Sequence, residues 1–256
     1  MKQLLILLFS ILVSFTSYGD EVELDFSLDT FCDKSPKAQL RGNLFYLPNS
    51  EKPYSGENLC IYLSNGQYHS RGAIENGLMD GSWEYWHEDG QKEKKSNYKD
   101  GLLIDETEYY YYENGQIRME RNLKDDRLHG KQIAWHENGE IQGSVNFKDG
   151  KLNGKLTSWF VNGQRELKWS YKDDRLHGKQ IAWHENGEIK IEGSFKDGVG
   201  VNLGFNENGQ KISETNVKDG KAHGKYTEWS ENGQIISEKV FDHGECIEGN
   251  CTPWGT

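Results

Sequence analysis

The sequence predicts an all-β fold: an elongated single-layer antiparallel meander of about eight tandem β-hairpins, with no helical domain in the mature chain. Three observations carry this. Asn-Gly or Asp-Gly dipeptides recur at nearly constant spacing, an aromatic residue stands four positions before each glycine, and an apolar or aromatic residue stands eight positions after it. Self-similarity at a period of 20–50 residues is the mark of a repeat architecture.

The anchor glycines are Gly66, Gly90, Gly115, Gly139, Gly163, Gly187, Gly209 and Gly233, with gaps of 24, 25, 24, 24, 24, 22 and 24 residues. A second turn signal falls between them, Lys-Asp-Gly at Lys148 to Gly150, Lys196 to Gly198 and Lys218 to Gly220, usually followed by another glycine such as Gly154 or Gly224. Each repeat therefore holds two turns and two short strands. The segment KDDRLHGKQIAWHENGEI occurs twice, at Lys124 to Ile141 and Lys172 to Ile189, which points to duplication of a pair of hairpins.

Two ladders follow. Four residues before the anchor stand Tyr62, Trp86, Tyr111, Trp135, Trp159, Trp183, Phe205 and Trp229; eight after it stand Ile74, Tyr98, Leu123, Phe147, Tyr171, Phe195, Val217 and Phe241. Parity selects the turn: a three-residue Glu-Asn-Gly loop, with the glycine left-handed as a bulge, puts both ladders on one face, whereas a two-residue loop separates them. The Lys-Asp-Gly turns are expected to be longer loops that keep the same face. Two departures, Glu106 in place of a turn glycine and the shortened Gly198 to Gly200 turn, mark the expected kinks.

Composition agrees. Hydrophobic residues make up only 34% of the 256, too few for a thick core, while 29 Gly against 4 Pro and 12% aromatics describe many specified turns joined by aromatic strands. Residues 1–19 read as a secretory signal, with Lys2, an apolar run from Leu4 to Phe15 and small residues Ser17 and Gly19 before Asp20. The remaining organisation reads as an N-terminal cap over 20–55, hairpin repeats over 56–244 and a C-terminal tail over 245–256. Export places the protein in the periplasm or on the surface of a bacterium.

Loss of the signal removes Lys2 and no acid, so the formal charge moves from −11 to −12. An acidic surface repels nucleic acid and anionic membranes and leaves proteins, glycans or cationic ligands as partners. The four cysteines, Cys32, Cys60, Cys246 and Cys251, allow three pairings in an oxidising compartment. Cys32 with Cys60 and Cys246 with Cys251 are favoured, because each pair would pin one end of the array; no CxxC pair supports a zinc site instead.

No catalytic constellation is found. The HENGE segments at His136 and His184 begin like a zinc-protease motif, but the fifth residue is Glu and an Asn-Gly turn cannot lie in the required helix. His129, His177 and His223 recur before glycine as polar turn residues rather than as a ligand column. No cofactor, metal or enzymatic activity is expected.

The repeat resembles the MORN type, in the bacterial variant whose units read approximately GxWxxWxENGxxxxxxxYKDGxxxG. It is matched here from Gly81-Ser82-Trp83 to Gly101 and onward through Gly233, over residues of about 40 to 244 including PYSG at Pro53 to Gly56. Proteins of this variant are commonly labelled YwqK-family antitoxins, so the resemblance implies neutralisation of a partner toxin. The residues themselves point first to an exported, non-enzymatic module that binds a protein through the aromatic ladder, with an antitoxin or immunity role second and a glycan-binding accessory role third.

Overall fold

The structure, a computed structural model, describes residues 30–32 and 38–251. The expected signal, 1–19, lies outside these residues. The described residues form strands and turns without a helix. The chain divides into two compact units, Met1–Arg127 and Leu128–Thr256.

The first unit is an antiparallel meander of Gly56–Tyr62, Tyr68–Glu75, Leu78–Trp86, Lys92–Lys99, Leu102–Tyr111 and Ile117–Lys124, each strand paired with the next. Thr30–Cys32 pairs with Gly56–Tyr62, setting Cys32 opposite Cys60 in the register, and Cys60 is disulfide-bonded. A separate hairpin, Gln39–Arg41 with Leu44–Tyr46, brings Phe45 against the buried cluster of Ile74, Trp83 and Tyr85. The second unit continues the same pattern from Gly130–Trp135 to Ile235–Asp242, and Glu245–Gly249 adds one more strand. Cys246 and Cys251 are bonded, with Cα atoms 5.6 Å apart.

The anchor turns follow from local chemistry. Gly90 N–H donates to the His87 carbonyl (2.9 Å) and His87 N–H to the Gln91 carbonyl (2.8 Å), enclosing the three residues Glu88-Asp89-Gly90 with Gly90 at φ 86°. That is a type I turn closed by a left-handed glycine, a conformation that penalises any Cβ. The residue before the glycine caps the loop: Asn138 and Asn186 each accept the amide two positions on at 3.0 Å. In the first repeat the loop is one residue longer, since Gly66 N–H reaches the Tyr62 carbonyl. Ile61 therefore takes the place that Trp86 holds one repeat later, and Tyr62 takes the place of His87.

The intervening turns are shorter than the sequence suggests. Asp149-Gly150 joins Lys148 directly to Lys151, with φ of 52° and 82°, and Asp197-Gly198 and Asp219-Gly220 do the same. Two successive left-handed residues make the type I′ turn that matches the twist of a hairpin. The extra residues sit one step later as a bulge, where Asn153-Gly154-Lys155 faces Asn146 alone and the Asn146 amide donates across it to the Lys155 carbonyl at 3.0 Å. Where the repeat is two residues short, at Val199–Phe205, that bulge is missing and the ladder runs regularly. The shortening thus removes an irregularity instead of adding a kink.

A further bulge corrects the expected relation between the two ladders. The three-residue loop sets Trp86 opposite Lys92 and Trp159 opposite Arg165, but the next pairs are Tyr85 with Lys94 and Ser158 with Leu167, leaving Glu93 and Glu166 over. One residue too many on one strand reverses its facing. The aromatic row four before the anchor and the row eight after it consequently lie on opposite faces of the sheet.

In each unit one face is packed: it carries Trp83 and Tyr85 in the first unit and Val145, Phe147, Leu152, Leu156, Leu167, Ala182, Phe195 and Val217 in the second, all buried. Each glycine nine before an anchor pairs with the apolar residue eight after it: Gly81 with Tyr98, Gly130 with Phe147, Gly154 with Tyr171, Gly178 with Phe195, Gly224 with Phe241. The missing side chain leaves room for the ring across the ladder.

Candidate functional site

The other face carries the aromatic row. All eight members are half-buried, none fully buried and none fully exposed. In the second unit the row is Trp135, Trp159, Trp183, Phe205 and Trp229, with Ile133 and Ile181 two residues before their tryptophans on the same face and Ile141 and Ile235 exposed at its rim (42% and 57%). In the first unit it is Trp86 and Tyr111, with Tyr109 beside Tyr111; Tyr62, displaced by its longer loop, stands at the turn.

Neighbouring repeats engage one another along this face by a recurring contact. The residue two after one anchor lies against the aromatic ring of the next repeat. Tyr68 stands 5.7 Å from Trp86 ring to ring, the Arg165 guanidinium 5.5 Å over Trp183, and the Lys211 ammonium 4.3 Å over Trp229. Cations over indole rings are attracted to the π face. A second link fixes the spacing: the Tyr62 hydroxyl donates to the Trp86 carbonyl (2.9 Å), and the Nε2 atoms of His136 and His184 bond the carbonyls of Trp159 and Phe205 at 3.0 Å each. The two HENGE histidines are thus staples between repeats.

The packed face of the first unit has a polar inlay that sequence reasoning missed. Glu106, which replaces the glycine nine before an anchor, pairs with Leu123 in the register and receives Lys94 Nζ at 3.1 Å and the Ser96 hydroxyl at 2.7 Å. The Lys94 and Glu106 side chains are 12% and 14% exposed, and Lys94 also lies 5.2 Å over the Tyr85 ring. Beside them Arg121 pairs with Glu108 at 2.5 Å, and Glu108 accepts the Tyr110 hydroxyl at 2.8 Å. Burial pushes the Tyr110 phenol up to about 12 and holds Tyr85 higher still, so both remain protonated hydrogen-bond donors. The signal was the single Gly-to-Glu departure at 106.

The turn histidines cap the type I′ turns. Nδ1 of His129 and of His177 accepts the Asp149 and Asp197 amides at 3.4 and 3.3 Å, and each lies within 3.3 Å of the same aspartate's carboxylate. Asp80 does the same work in the first unit, accepting the Asp100 amide at 3.2 Å and Lys99 Nζ at 3.0 Å. The lysine hydrogen bond, reinforced by that amide, holds the Asp80 carboxyl below the usual carboxylate range.

These features define a β-hairpin repeat protein with one packed and one open aromatic face. The family model described as the MORN repeat variant matches residues 79–100, 107–125, 128–149, 176–197 and 222–243, so five of the units are repeats of this type. No curated protein matches the chain. Among solved structures it is similar to a TcdB2-TccC3 complex, at 13% identity and a TM-score of 0.17 over 84% of this chain and 14% of that one. It is also similar to a Photorhabdus luminescens Tc holotoxin pore, at 12% identity and 0.17 over 84% and 14%, and to a Bacteroides fragilis protein of unknown function, at 10% and 0.11 over 78% and 94%. The chain thus spans only 14% of the length of the two toxin-complex chains, and TM-scores this low carry no argument about function.

Proposed function

We propose that the protein is an exported, non-enzymatic interaction module that binds a protein partner along the aromatic row of Trp135, Trp159, Trp183, Phe205 and Trp229. The observation that carries this reading is that the row is half-buried throughout and never fully covered, while the core-forming side chains sit on the opposite face. Half-buried tryptophans rimmed by exposed isoleucines are the composition of a recognition patch. MORN repeats, matched at five units, commonly serve as protein-interaction modules. Two strands per repeat place successive rings roughly 10 Å apart along the sheet. That spacing suits a partner presenting apolar side chains at the same interval, as an amphipathic helix does every seven residues.

The test is chemical crosslinking and capture from an envelope extract of the source organism, comparing the mature chain with a Trp135→Ala, Trp159→Ala, Trp183→Ala variant shown by circular dichroism to be folded. A protein captured by the parent and lost by the variant supports the reading. Equal capture by both moves recognition to another surface, and competition by an oligosaccharide instead of a protein moves it to a glycan. The finer role, neutralisation of a toxin, is decided by what the captured partner does.

A further inference from the structure

The geometry points to a divalent transition-metal site formed by His223, Asp242 and His243. One nitrogen or oxygen ligand atom from each lies within 4.8 Å of the others. Asp242 Oδ1 is 3.1 Å from His223 Nδ1 and 2.6 Å from His243 Nδ1, and the two imidazole rings stand edge to face with centroids 5.0 Å apart. All three side chains are accessible, at 36%, 52% and 65% exposure.

The site arises from two adjacent replacements in one turn. In the two other histidine-capped turns the sequence reads Lys-Asp-Gly and the histidine meets a single carboxylate, as His129 meets Asp149 and His177 meets Asp197. In the last such turn Asp242 stands where the lysine does and His243 where the aspartate does, so a cation is lost and the ligand set, counting the capping histidine, rises from two to three. The backbone holds them in place. His243-Gly244 is a two-residue turn between the paired residues Asp242 and Glu245, with His243 left-handed at φ 47°, a conformation that among non-glycine residues favours Asn, Asp and His. His223 projects from the bulge of the preceding hairpin, and its Nδ1 lies 3.5 Å from the His243 amide.

Two imidazoles and a carboxylate make a borderline donor set, which suits Zn²⁺, Ni²⁺ or Cu²⁺ and not Ca²⁺ or Mg²⁺. Zinc takes such ligands at about 2.0–2.2 Å, leaving a fourth position to water. The ion would replace the hydrogen-bonding protons between the rings and Asp242, and would join one hairpin's bulge to the next hairpin's turn. The site is independent of the aromatic row.

The experiment is calorimetric titration of untagged mature protein with ZnCl₂ at pH 7.5. The variants are His243→Asn, which keeps a residue tolerant of the left-handed turn, Asp242→Lys, which restores the repeat's lysine, and His177→Asn as a comparator from a two-ligand turn. One equivalent of zinc is expected to bind to the parent and to His177→Asn, with at least tenfold weaker binding in the other two. Added Cu²⁺ should broaden the imidazole proton signals of His223 and His243 first among the eight histidines. No binding at millimolar zinc, unchanged binding in a folded His243→Asn protein, or an equal loss in His177→Asn would each overturn the assignment.

Discussion

Gly72 lies directly beneath the indole of Trp83. A Cβ built on this glycine would stand 2.2 Å from the ring, while the Trp83 Nε1–H donates to the Ala73 carbonyl at 3.0 Å and pins the ring in place. Gly72→Ala therefore cannot be absorbed by a side-chain shift. Overpacking of this kind costs about 1–3 kcal/mol, read as a lower midpoint in urea unfolding, and the double variant Gly72→Ala, Trp83→Leu should recover part of the loss. An unchanged midpoint in Gly72→Ala would mean that the ring does not sit there.

Lys94 and Glu106 should behave as a coupled pair. Removing one partner leaves a charge at a site only 12–14% exposed, a loss of about 3 kcal/mol or more for a fully buried pair and somewhat less here. Glu106→Gly, which restores the glycine of the other repeats, is expected to destabilise on its own, as is Lys94→Met. The double variant should lose clearly less than the sum of the two. Additive losses would place the two charges in water.

Several groups in the first unit make stability fall with acid. Burial holds the His69 imidazole below its ordinary value against the opposing charge of Glu93, and the Lys92 hydrogen bond holds Glu84 below the carboxylate range. A lowered folded value stabilises above the unfolded value and is lost as pH falls through the folded one. The His69 contribution is thus complete above about pH 6.5 and those of Glu84 and Asp80 above about pH 4, each disappearing below. Thermal midpoints should decline in two steps between pH 7 and pH 3, with Glu84→Gln and Asp80→Asn flattening the lower step and His69→Gln the upper.

The Cys246–Cys251 bond closes a loop of only a few residues, for which chain entropy gives about 2 kcal/mol. It ties down the strand Glu245–Gly249, which pairs with Ile235–Asp242. Reduction should speed amide exchange across Glu245–Gly249 and leave Lys221–Trp229 unchanged. Faster exchange throughout the second unit would show that the bond supports more than its own strand.

Much of this architecture was legible in the sequence because it is written in turn chemistry, which is local. The Asn-Gly anchors set the strand count, and the three-residue loop with its left-handed glycine is as the spacing requires. What could not be read was register. Nothing in the side chains of Glu93 or Glu166 announces that they are left over between ladder pairs, yet that surplus turns Trp86 and Tyr98 to opposite faces. The role of the second glycine was hidden for the same reason: Gly130 and Gly154 make sense only once Phe147 and Tyr171 are known to face them. Of the aromatic ladder, the membership was visible for seven residues, while Tyr62 is displaced by an extra loop residue at Leu63 to Gly66 that a fixed offset from the anchor conceals.

The central claim, that the aromatic row is the binding face and the opposite rows are the core, is tested most directly by carbene footprinting with mass spectrometry on the protein alone and with its captured partner. The account predicts modification of Trp135, Trp159 and Trp183 in the free protein and their protection in the complex, with Leu156 and Leu167 unlabelled in both. Labelling of the tryptophans that the partner leaves unchanged would contradict it.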